Sequence, residues 1–374
     1  MSKYDKVIMI TGGMGFIGSH VVRHFVNTYP NYMIINFDKL TYAGNVENLK
    51  DLDENKKDNY FFLRGDICDA NLLESVMKYG VTDIIHLAAE SHVDRSMVNP
   101  TNFVDTNILG TINLLEAAKT AWRGSRGLHV FLNMGTDEIY GSLGLDDEPF
   151  NENTPLDPHS PYSTSKTAAV MFGKTYFEAY DVPVINISCG NAIGPNQFPE
   201  KLVPLTIDRL INKQPIPIYG KGEQMRDWTN VHDIVDAFDK IFHEGRPGEM
   251  YCIGGDACKT NIDMVKALIV CYATAVTDTG EKDATEKFKK KIADLLELIT
   301  FIPDPRGKSH DFRYDIDHTK ITEELGWKPF YTFEDSVREV VKWYLENQEW
   351  VNNVKSGEYK NWIDSYYGKE IDKK

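Results

Sequence analysis

The chain has 374 residues, of which 42% are hydrophobic and 26% charged, and its formal net charge is −15 at pH 7. This length can bury one enlarged domain or two, while the negative charge argues against nonspecific binding to nucleic acid or to an anionic membrane. No apolar run is long enough to cross a bilayer and no signal peptide is evident, so we expect a cytoplasmic protein without a membrane partner.

The first part of the chain has the pattern of a dinucleotide-binding fold. Residues 7–11 indicate a buried parallel strand, and a helical pattern follows the glycines that come next. Gly12, Gly15 and Gly18 have the spacing G-x-x-G-x-x-G. Glycine permits a tight turn, the close approach of a pyrophosphate and tight helix packing, and the helix N-terminus then faces the phosphates. The alternative is a glycine-rich turn that holds no ligand.

A second strand is predicted at residues 33–37 and ends at Asp38, about twenty residues after Gly18. An acidic side chain at this place can accept hydrogen bonds from the adenosine ribose diol, and it repels a 2′-phosphate. The pattern therefore favours NAD over NADP.

Further strands are predicted at residues 60–63, 83–87, 130–132 and 184–187, and helices at 72–79, 103–121 and 162–180. This alternation predicts an α/β protein with a Rossmann-type, doubly wound parallel sheet. After residue 189 the chain becomes irregular before a helix at 202–211 and a strand at 216–219. A helix at 234–242 and a strand at 250–253 are expected to return to the first sheet.

We therefore predict two domains that alternate along the chain. Residues 1–189 form an NAD-binding Rossmann domain, to which residues 230–255 return. Residues 190–229 and 256–374 form a smaller α/β domain that binds the substrate. The segment 277–291 is rich in Lys, Glu, Asp and Thr and lacks core residues, so we expect a solvated insertion.

The cysteines give no indication of a disulfide or a metal site. They are odd in number, and none forms a Cys-x-x-Cys pair. The five are Cys68, Cys189, Cys252, Cys258 and Cys271. We expect free thiols and no metal.

Two short motifs carry the chemistry. Tyr162 and Lys166 are four residues apart on a predicted helix and share a face, where the ammonium can lower the pKa of the tyrosine and make it a usable base for hydride transfer at a carbinol. Asp137 and Glu138 follow a predicted strand end, where two carboxyls in different environments can serve as acid and base in an elimination of water. Taken alone, each motif also arises by chance or as a solvated turn.

Together, these residues resemble those of the extended short-chain dehydrogenase/reductases and, within them, the dTDP-glucose 4,6-dehydratases. The similarity extends over nearly the whole chain. The matching segments are residues 11–19, 38–45, 87–96, 136–141, 198–202, 218–222, 226–228 and 343–367. Thr136, Asp137 and Glu138 separate this group from the nucleotide-sugar 4-epimerases, which share the tyrosine and the lysine but usually lack the adjacent acids.

The resemblance implies an NAD-dependent enzyme of deoxysugar biosynthesis that converts dTDP-glucose to dTDP-4-keto-6-deoxyglucose. Tyr162, its pKa lowered by Lys166 and by the nicotinamide charge, would take the proton of the 4-hydroxyl while carbon 4 gives a hydride to NAD. Glu138 would remove the proton at carbon 5, and Asp137 would protonate the departing 6-hydroxyl before the hydride returns to carbon 6. Thr136 would hydrogen-bond the 4-oxygen, or would be structural.

The resemblance also implies the residues that contact each ligand. Those expected at the cofactor are Gly12, Gly15, Phe16, Ile17, Gly18, Asp38, Lys39, Thr41, Asp66, Ile67, Leu87, Ala88, Ala89, Thr106, Tyr162 and Lys166. Those expected at the nucleotide sugar are Ser91, Asn191, Glu200, Lys201, Leu202, Tyr219, Arg226, Asn261, Arg306 and His310. Of these, Arg226 or Arg306 could hold the diphosphate by bidentate hydrogen bonds. A homodimer is expected, because the helices near 103–121 and 162–180 correspond to a four-helix interface in relatives.

The chain departs from the dTDP-glucose pattern in three places. Ala192 and Ile193 stand where Asn-Tyr is usual, Asn196 and Gln197 stand where Tyr-His is usual, and the segment 306–310 has an extra residue. Asn-Gln is more similar to UDP-glucose 4,6-dehydratases. The leading hypothesis is dTDP-glucose as substrate, with UDP-glucose as the alternative. A nucleotide-sugar 4-epimerase and a nonenzymatic NAD-binding regulator are the competing hypotheses.

Overall fold

The computed structural model describes residues 3–54, 57–125, 127–277 and 284–355. The strands, in chain order, are β1 (Lys6–Thr11), β2 (Tyr32–Asp38), β3 (Tyr60–Arg64), β4 (Asp83–His86), β5 (Phe131–Met134), β6 (Val184–Cys189), β7 (Asn191–Ile193), β8 (Ile216–Tyr219), β9 (Met225–Asn230), β10 (Met250–Ile253), β11 (Cys258–Thr260) and β12 (Ile299–Ile302).

The α-helices, in the same order, are α1 (Phe16–Thr28), α2 (Lys50–Glu54), α3 (Ala70–Met77), α4 (Val93–Val98), α5 (Pro100–Phe103), α6 (Thr111–Ala121), α7 (Pro161–Tyr180), α8 (Leu202–Asn212), α9 (Val231–Glu244), α10 (Asn261–Ala275), α11 (Ala284–Leu296), α12 (Thr319–Leu325), α13 (Phe333–Glu346) and α14 (Gln348–Val354). Short 3₁₀ helices occur at Val46–Leu49, Asp137–Tyr140 and Gly307–Ser309, and a π-helix at Val104–Gly110.

The main sheet has seven strands, all parallel, in the order β10-β6-β5-β4-β1-β2-β3. This order confirms the predicted Rossmann-type α/β fold. β10 pairs with β6, with Met250 opposite Asn186, so the chain completes the sheet only after it has built other elements.

The sheet is buried on both faces, which explains the continuous apolar runs of its strands. In β1, Ile8 and Ile10 pack in one cluster with residues of α1 and α9, whereas Met9 packs in a second cluster with residues of α3 and α6. Successive side chains of a strand point to opposite faces, so one strand supplies both layers of the core. All three side chains are fully buried.

Two small sheets accompany the main one. β9 pairs with β7 in parallel and with β11 antiparallel, and β8 pairs with β12 in parallel. The helices α8, α10 and α13 pack together and share a core that contains Val203, Leu268 and Val340. The helix expected at 202–211 and the strand expected at 216–219 are therefore present as α8 and β8.

The helix predicted at residues 103–121 is interrupted. It is α-helical only up to Phe103 and again from Thr111, with a π-helical turn between. Within that turn the amide of Asn107 exchanges two hydrogen bonds of 2.8 and 2.9 Å with the backbone of Glu90 and donates a third, of 2.9 Å, to the hydroxyl of Ser165. Turns of this kind frequently lie at functional sites. Here the turn links the loop after β4 to α7.

The segment predicted to be a solvated insertion is in part a core helix. Residues 278–283 lie outside the described ranges, and α11 follows them. Phe288, Ile292 and Leu295 are spaced four and three residues apart, which places them on one helix face, and they pack in a single apolar cluster. Of the segment predicted to lack core residues, 277–291, only the partly buried Phe288 joins this cluster, and Ile292 and Leu295 follow just after the segment. The prediction is therefore wrong at Phe288.

Within the described ranges, all five cysteines are free thiols, and no group of three or more His, Cys, Asp or Glu side chains is arranged to hold a metal. None of the helices in those ranges has the length and hydropathy needed to span a membrane. The sequence match at 343–367 continues past residue 355, beyond the part of the chain that the structure describes.

Candidate active site

Two adjoining cavities lie at the carboxyl end of the main sheet. The first, of about 270 Å³, is bordered by residues that follow β1, β2, β3 and β4, and the second, of about 300 Å³, by residues that follow β5 and β6. Tyr162, Glu200 and Lys201 line both cavities. Ligands of doubly wound folds bind at this end of the sheet.

Every residue predicted to contact the cofactor lines the first cavity. Gly12 has a φ of +72°, and a Cβ on it would lie 2.6 Å from the backbone nitrogen of Ala88. A Cβ on Gly18 would collide with the carbonyl oxygen of Gly12. Helix α1 begins after Gly15, which has no side chain to cap the first amide groups. This arrangement fits a dinucleotide diphosphate.

Asp38 lies at the end of β2 and lines the same cavity. Its Oδ2 accepts a hydrogen bond of 2.9 Å from the backbone N–H of Met14, and its Oδ1 accepts one of 2.7 Å from that of Leu40. Burial raises the pKa of Asp38, and these two hydrogen bonds oppose that rise. Each carboxylate oxygen has a second lone pair, so the side chain can still accept from a ribose diol.

Sequence reasoning missed several residues of the first cavity. They are Phe37, Ala43, Gly44, Gly65, Glu90, Met134, Gly135, Gln197 and Phe198. Four of them, Phe37, Gly65, Glu90 and Gly135, are adjacent to a predicted residue, and that adjacency is the signal that could have found them. Gln197 comes instead from the loop after β7, and no local pattern indicates that this loop reaches the first cavity.

Asp137 and Glu138 follow the end of β5 and line the second cavity. Thr136 is the N-cap of the 3₁₀ helix that carries Asp137 and Glu138, and all three residues line this cavity. The hydroxyl of Thr136 donates a hydrogen bond of 3.2 Å to Oδ1 of Asp137, and it is also hydrogen-bonded to the phenol of Tyr162. The structure therefore brings the predicted acids and the predicted base together.

Withdrawal from water raises the pKa values of both acids above those of ordinary carboxyls. It raises the pKa of Asp137 well above its usual value, and the neighbouring charge of Glu138 raises it further. Oδ2 of Asp137 is buried and has no hydrogen-bond partner among the described residues. Burial also raises the pKa of Glu138, but the positive charges of Arg306 and Arg226 oppose that rise. Asp137 is thus suited to hold a proton, and Glu138 to lose one.

In the protein by itself the pKa of Tyr162 is raised and not lowered. Burial raises the pKa of Tyr162, and the negative charge of Glu138 adds to that effect, while the hydrogen bond with Thr136 opposes it. Burial also lowers the pKa of Lys166 to about 8. The sequence showed the shared helix face but not that both side chains are withdrawn from water.

Every residue predicted to contact the nucleotide sugar lines the second cavity. The two arginines among them differ in how many of their nitrogens already donate hydrogen bonds to the protein. Arg226 donates through Nη1 and Nη2 to backbone carbonyl oxygens and stacks on the ring of Tyr314 at 4.1 Å. Arg306 donates through Nε to Oδ1 of Asp94 at 2.5 Å. Lys201 donates to the carbonyl oxygen of Ser91 at 2.8 Å.

Sequence reasoning also missed residues of the second cavity. They include His92, Val93, Asp94, Cys189, Trp228 and Tyr314. The first three belong to a matching segment of the sequence, so a signal existed for them. Tyr314 belongs to no motif, and only the fold brings it to the site.

Comparison with known proteins identifies the relatives of this chain. A family model described as GDP-mannose 4,6 dehydratase matches residues 9–340. A dTDP-glucose 4,6-dehydratase of Salmonella typhimurium is 43% identical over 373 residues, covering 96% of this chain and 98% of that protein. The chain belongs to the dTDP-glucose 4,6-dehydratase family. The resemblance inferred from its motifs is confirmed.

Solved structures of the same family have the same fold. A dTDP-glucose 4,6-dehydratase from Bacillus anthracis, in complex with NAD, is 39% identical and superposes with a TM-score of 0.79, covering 94% of this chain and all of that one. The enzyme from Streptomyces venezuelae, with NAD and TYD bound, is 35% identical with a TM-score of 0.81, covering 93% of this chain and all of that one.

Proposed function

We propose that this protein is an NAD-dependent dTDP-glucose 4,6-dehydratase that forms dTDP-4-keto-6-deoxyglucose and water. The observation that carries the proposal is the position of the buried Asp137 and the half-buried Glu138, which line the second cavity together with Tyr162, a residue that borders both cavities. An epimerase needs the tyrosine but has no use for a second acid and base. The family and its NAD-bound relatives support the same activity.

The first cavity would hold NAD. The glycine turn leaves no room for a Cβ, the N-terminus of α1 is free of side-chain caps, and Asp38 lies where a ribose diol would need an acceptor. When bound, NAD supplies the chemistry of reversible hydride uptake, here from carbon 4 of the sugar and back to carbon 6.

Tyr162 would hold the proton of the 4-hydroxyl during oxidation. The raised pKa of Tyr162 means that its phenolate needs further stabilisation, which Lys166 in the same cavity and the positive charge of bound NAD would supply. Thr136, already hydrogen-bonded to the phenol, would orient the 4-oxygen.

The acid pair would then carry out the elimination. The 4-ketone acidifies carbon 5, Glu138 removes that proton, and Asp137 donates its proton to the departing 6-hydroxyl, which leaves as water. Glu138 returns a proton to carbon 5 when carbon 6 is reduced. The proton that Tyr162 gained and the proton that Asp137 lost are exchanged through solvent, so the cycle balances.

We propose that Arg306 binds the diphosphate of the substrate. Its Nε is occupied by Asp94, and none of the described residues accepts a hydrogen bond from its two terminal nitrogens, which could bind two phosphate oxygens. Arg226, with its terminal nitrogens bound to carbonyl oxygens, is the less available of the two. The TYD-bound relative favours the dTDP nucleotide over UDP.

We also propose that the nucleotide-sugar domain comprises residues 190–229 and 256–374, that the rest of the chain binds NAD, and that the protein is a cytoplasmic homodimer. Free thiols at all five cysteines suit a reducing compartment. The helices expected at the interface expose Val104, Leu109 and Met171, which supports a dimer. A monomeric mass in sedimentation at micromolar concentration would exclude it.

The activity is tested by incubating purified protein and NAD with dTDP-, UDP-, GDP- and CDP-glucose and following the products by NMR. We expect a 4-keto-6-deoxy sugar, formed fastest from dTDP-glucose. A product inverted at carbon 4 that keeps its 6-hydroxyl would identify an epimerase, a preference for UDP-glucose would change the assigned nucleotide, and unchanged sugar in all four reactions would support a regulator.

A further inference from the structure

Helix α4 carries part of a sequence motif that the proposed reaction does not use. Residues 92–96 match the family, but no catalytic step employs Asp94 or Arg95. The two residues are neighbours on this short helix, which is capped by His92. Asp94 is almost fully buried, with 1% of its surface exposed, so its charge requires partners.

Asp94 holds two residues of the second cavity at once. Its Oδ1 accepts from Nε of Arg306 at 2.5 Å, and its Oδ2 accepts from the hydroxyl of Tyr219 at 2.9 Å. The charge of Arg306 keeps the pKa of Asp94 below its usual value despite burial. Both oxygens of the carboxylate are therefore committed to side chains that border the nucleotide-sugar cavity.

Arg95 faces a different pair of residues. Its Nε lies 3.3 Å from Oε2 of Glu200, and its guanidinium carbon lies 3.7 Å from the ring centre of Tyr42. Glu200 lines both cavities, whereas Tyr42 stands between Thr41 and Ala43, which line the cofactor cavity. Arg95 thus connects the junction of the cavities with the loop that follows β2.

We propose that Asp94 and Arg95 are positioning residues that align opposite ends of the nucleotide sugar. Asp94 fixes the stem of Arg306 so that its terminal nitrogens meet the diphosphate. Arg95 fixes Glu200 at the junction of the two cavities, where the sugar would meet the cofactor, and anchors it to the loop after β2 through Tyr42. An arginine held at Nε loses less conformational freedom when it binds a phosphate. This inference rests on the proposed function for the identity of the ligand.

The test compares dTDP with dTDP-glucose, because dTDP lacks the hexose. In the full-length protein loaded with NAD, Asp94→Asn removes the charge but keeps the size of the side chain. We expect the Kd for dTDP and the KM for dTDP-glucose both to rise about tenfold or more, since a charged hydrogen bond is lost. The kcat should change by less than about threefold, because Asp94 does not contact the reacting atoms.

Arg95→Lys should act on the other end of the ligand. The KM for dTDP-glucose should rise about fivefold or more, because lysine cannot stack on Tyr42 and hold Glu200 in the same geometry, while the Kd for dTDP stays unchanged. Asp94→Glu keeps the charge and should restore part of the dTDP affinity lost in Asp94→Asn. Asp105→Asn, an exposed acid of the neighbouring π-helix, is the matched control.

The inference is overturned if Asp94→Asn leaves both constants unchanged, or if all three variants lower kcat together with the thermal midpoint, as a purely structural role would. Failure of the proposed function is a separate result. If the wild type binds dTDP but does not convert dTDP-glucose, the proposed dehydratase activity is wrong. A loss of dTDP affinity in Asp94→Asn would even then support the positioning of Arg306 by Asp94.

Discussion

Nε1 of Trp350 donates a hydrogen bond of 2.8 Å to Oδ1 of Asn48, which lies 302 positions earlier in the chain. Nδ2 of Asn48 donates in turn to the carbonyl oxygen of Met14, within the glycine turn, at 2.9 Å. The same Oδ1 also accepts from Nδ2 of Asn196 at 3.3 Å. Helix α14 is thereby connected to the turn that would bind the cofactor diphosphate.

This relationship predicts that a change in α14 weakens NAD binding. Trp350→Phe keeps an aromatic ring but removes the N–H donor, and we expect the Kd for NAD to rise about fivefold, the equivalent of about 1 kcal/mol for one buried hydrogen bond. Fluorescence titration with NAD measures it. Trp343→Phe, which leaves Nε1 of Trp350 in place, is the control, and an equal effect in both variants would contradict the connection.

The division of labour between the two acids gives a second prediction. Glu138→Gln should still permit oxidation at carbon 4 but not proton removal at carbon 5, so NADH absorbance should accumulate in a single turnover. Asp137→Asn should be slow with dTDP-glucose and partly rescued by a 6-fluoro analogue, whose leaving group needs little protonation. Equal rescue of both variants, or full dehydratase activity in either, would disprove the assigned roles.

Thr136 should tune the base. Its hydrogen bond lowers the pKa of Tyr162, so Thr136→Val should raise that pKa. Because the base acts in its ionised form, the acid limb of the pH profile for NADH formation in the first half-reaction should move to higher pH. Thr167→Val makes the same change on α7, at a hydroxyl that donates to the backbone oxygen of Ser163, and should leave the limb in place.

Lys166 should reduce the stability of the fold near neutral pH. Its pKa is lowered from 10.5 to about 8 by burial, so between these values the unfolded chain binds a proton that the native protein does not. The destabilisation by Lys166 is absent above the pKa of the unfolded chain. It grows as the pH falls towards about 8, and it is constant below about pH 8.

Lys166→Met should therefore raise the free energy of unfolding at about pH 7 by up to about 3 kcal/mol, and by much less at about pH 10, while abolishing activity. Urea unfolding at the two pH values measures this difference. Lys174→Met, at an exposed position on the same helix, should show no such pH dependence. A Lys166→Met protein less stable than the wild type at both pH values would refute the argument.

The features that could be predicted from the sequence are those that depend on residues close together in the chain. Gly12 lies in a turn that needs a positive φ and a close approach of backbone, and Asp38 follows a strand at the expected distance, so both were identifiable. Tyr162 and Lys166 share a helix face for the same local reason.

The features that could not be predicted depend on distant residues. The raised pKa of Tyr162 arises from burial by several segments and from Glu138, neither of which the helix reveals. Asp94 meets Arg306 across 212 positions, and no spacing rule covers such a contact. Asn107 lies in the π-helical turn that interrupts its helix and bonds to both the N–H and the C=O of Glu90, a contact that is visible only once the loop after β4 is folded.

The late arrival of β10 has a consequence for how this protein can be recombined. The chain leaves the main sheet after β6, builds β7, α8, β8 and β9, returns through α9 and β10, and departs again into β11. A single crossover with a relative after β6 would pair one parent's sheet with the other parent's edge strand and would split the cluster in which Ile187 packs with Tyr251 and Ile253. Exchange of the segment between β6 and α9 among relatives therefore requires a second matched junction before α9, and chimeras joined only after β6 should fail to fold.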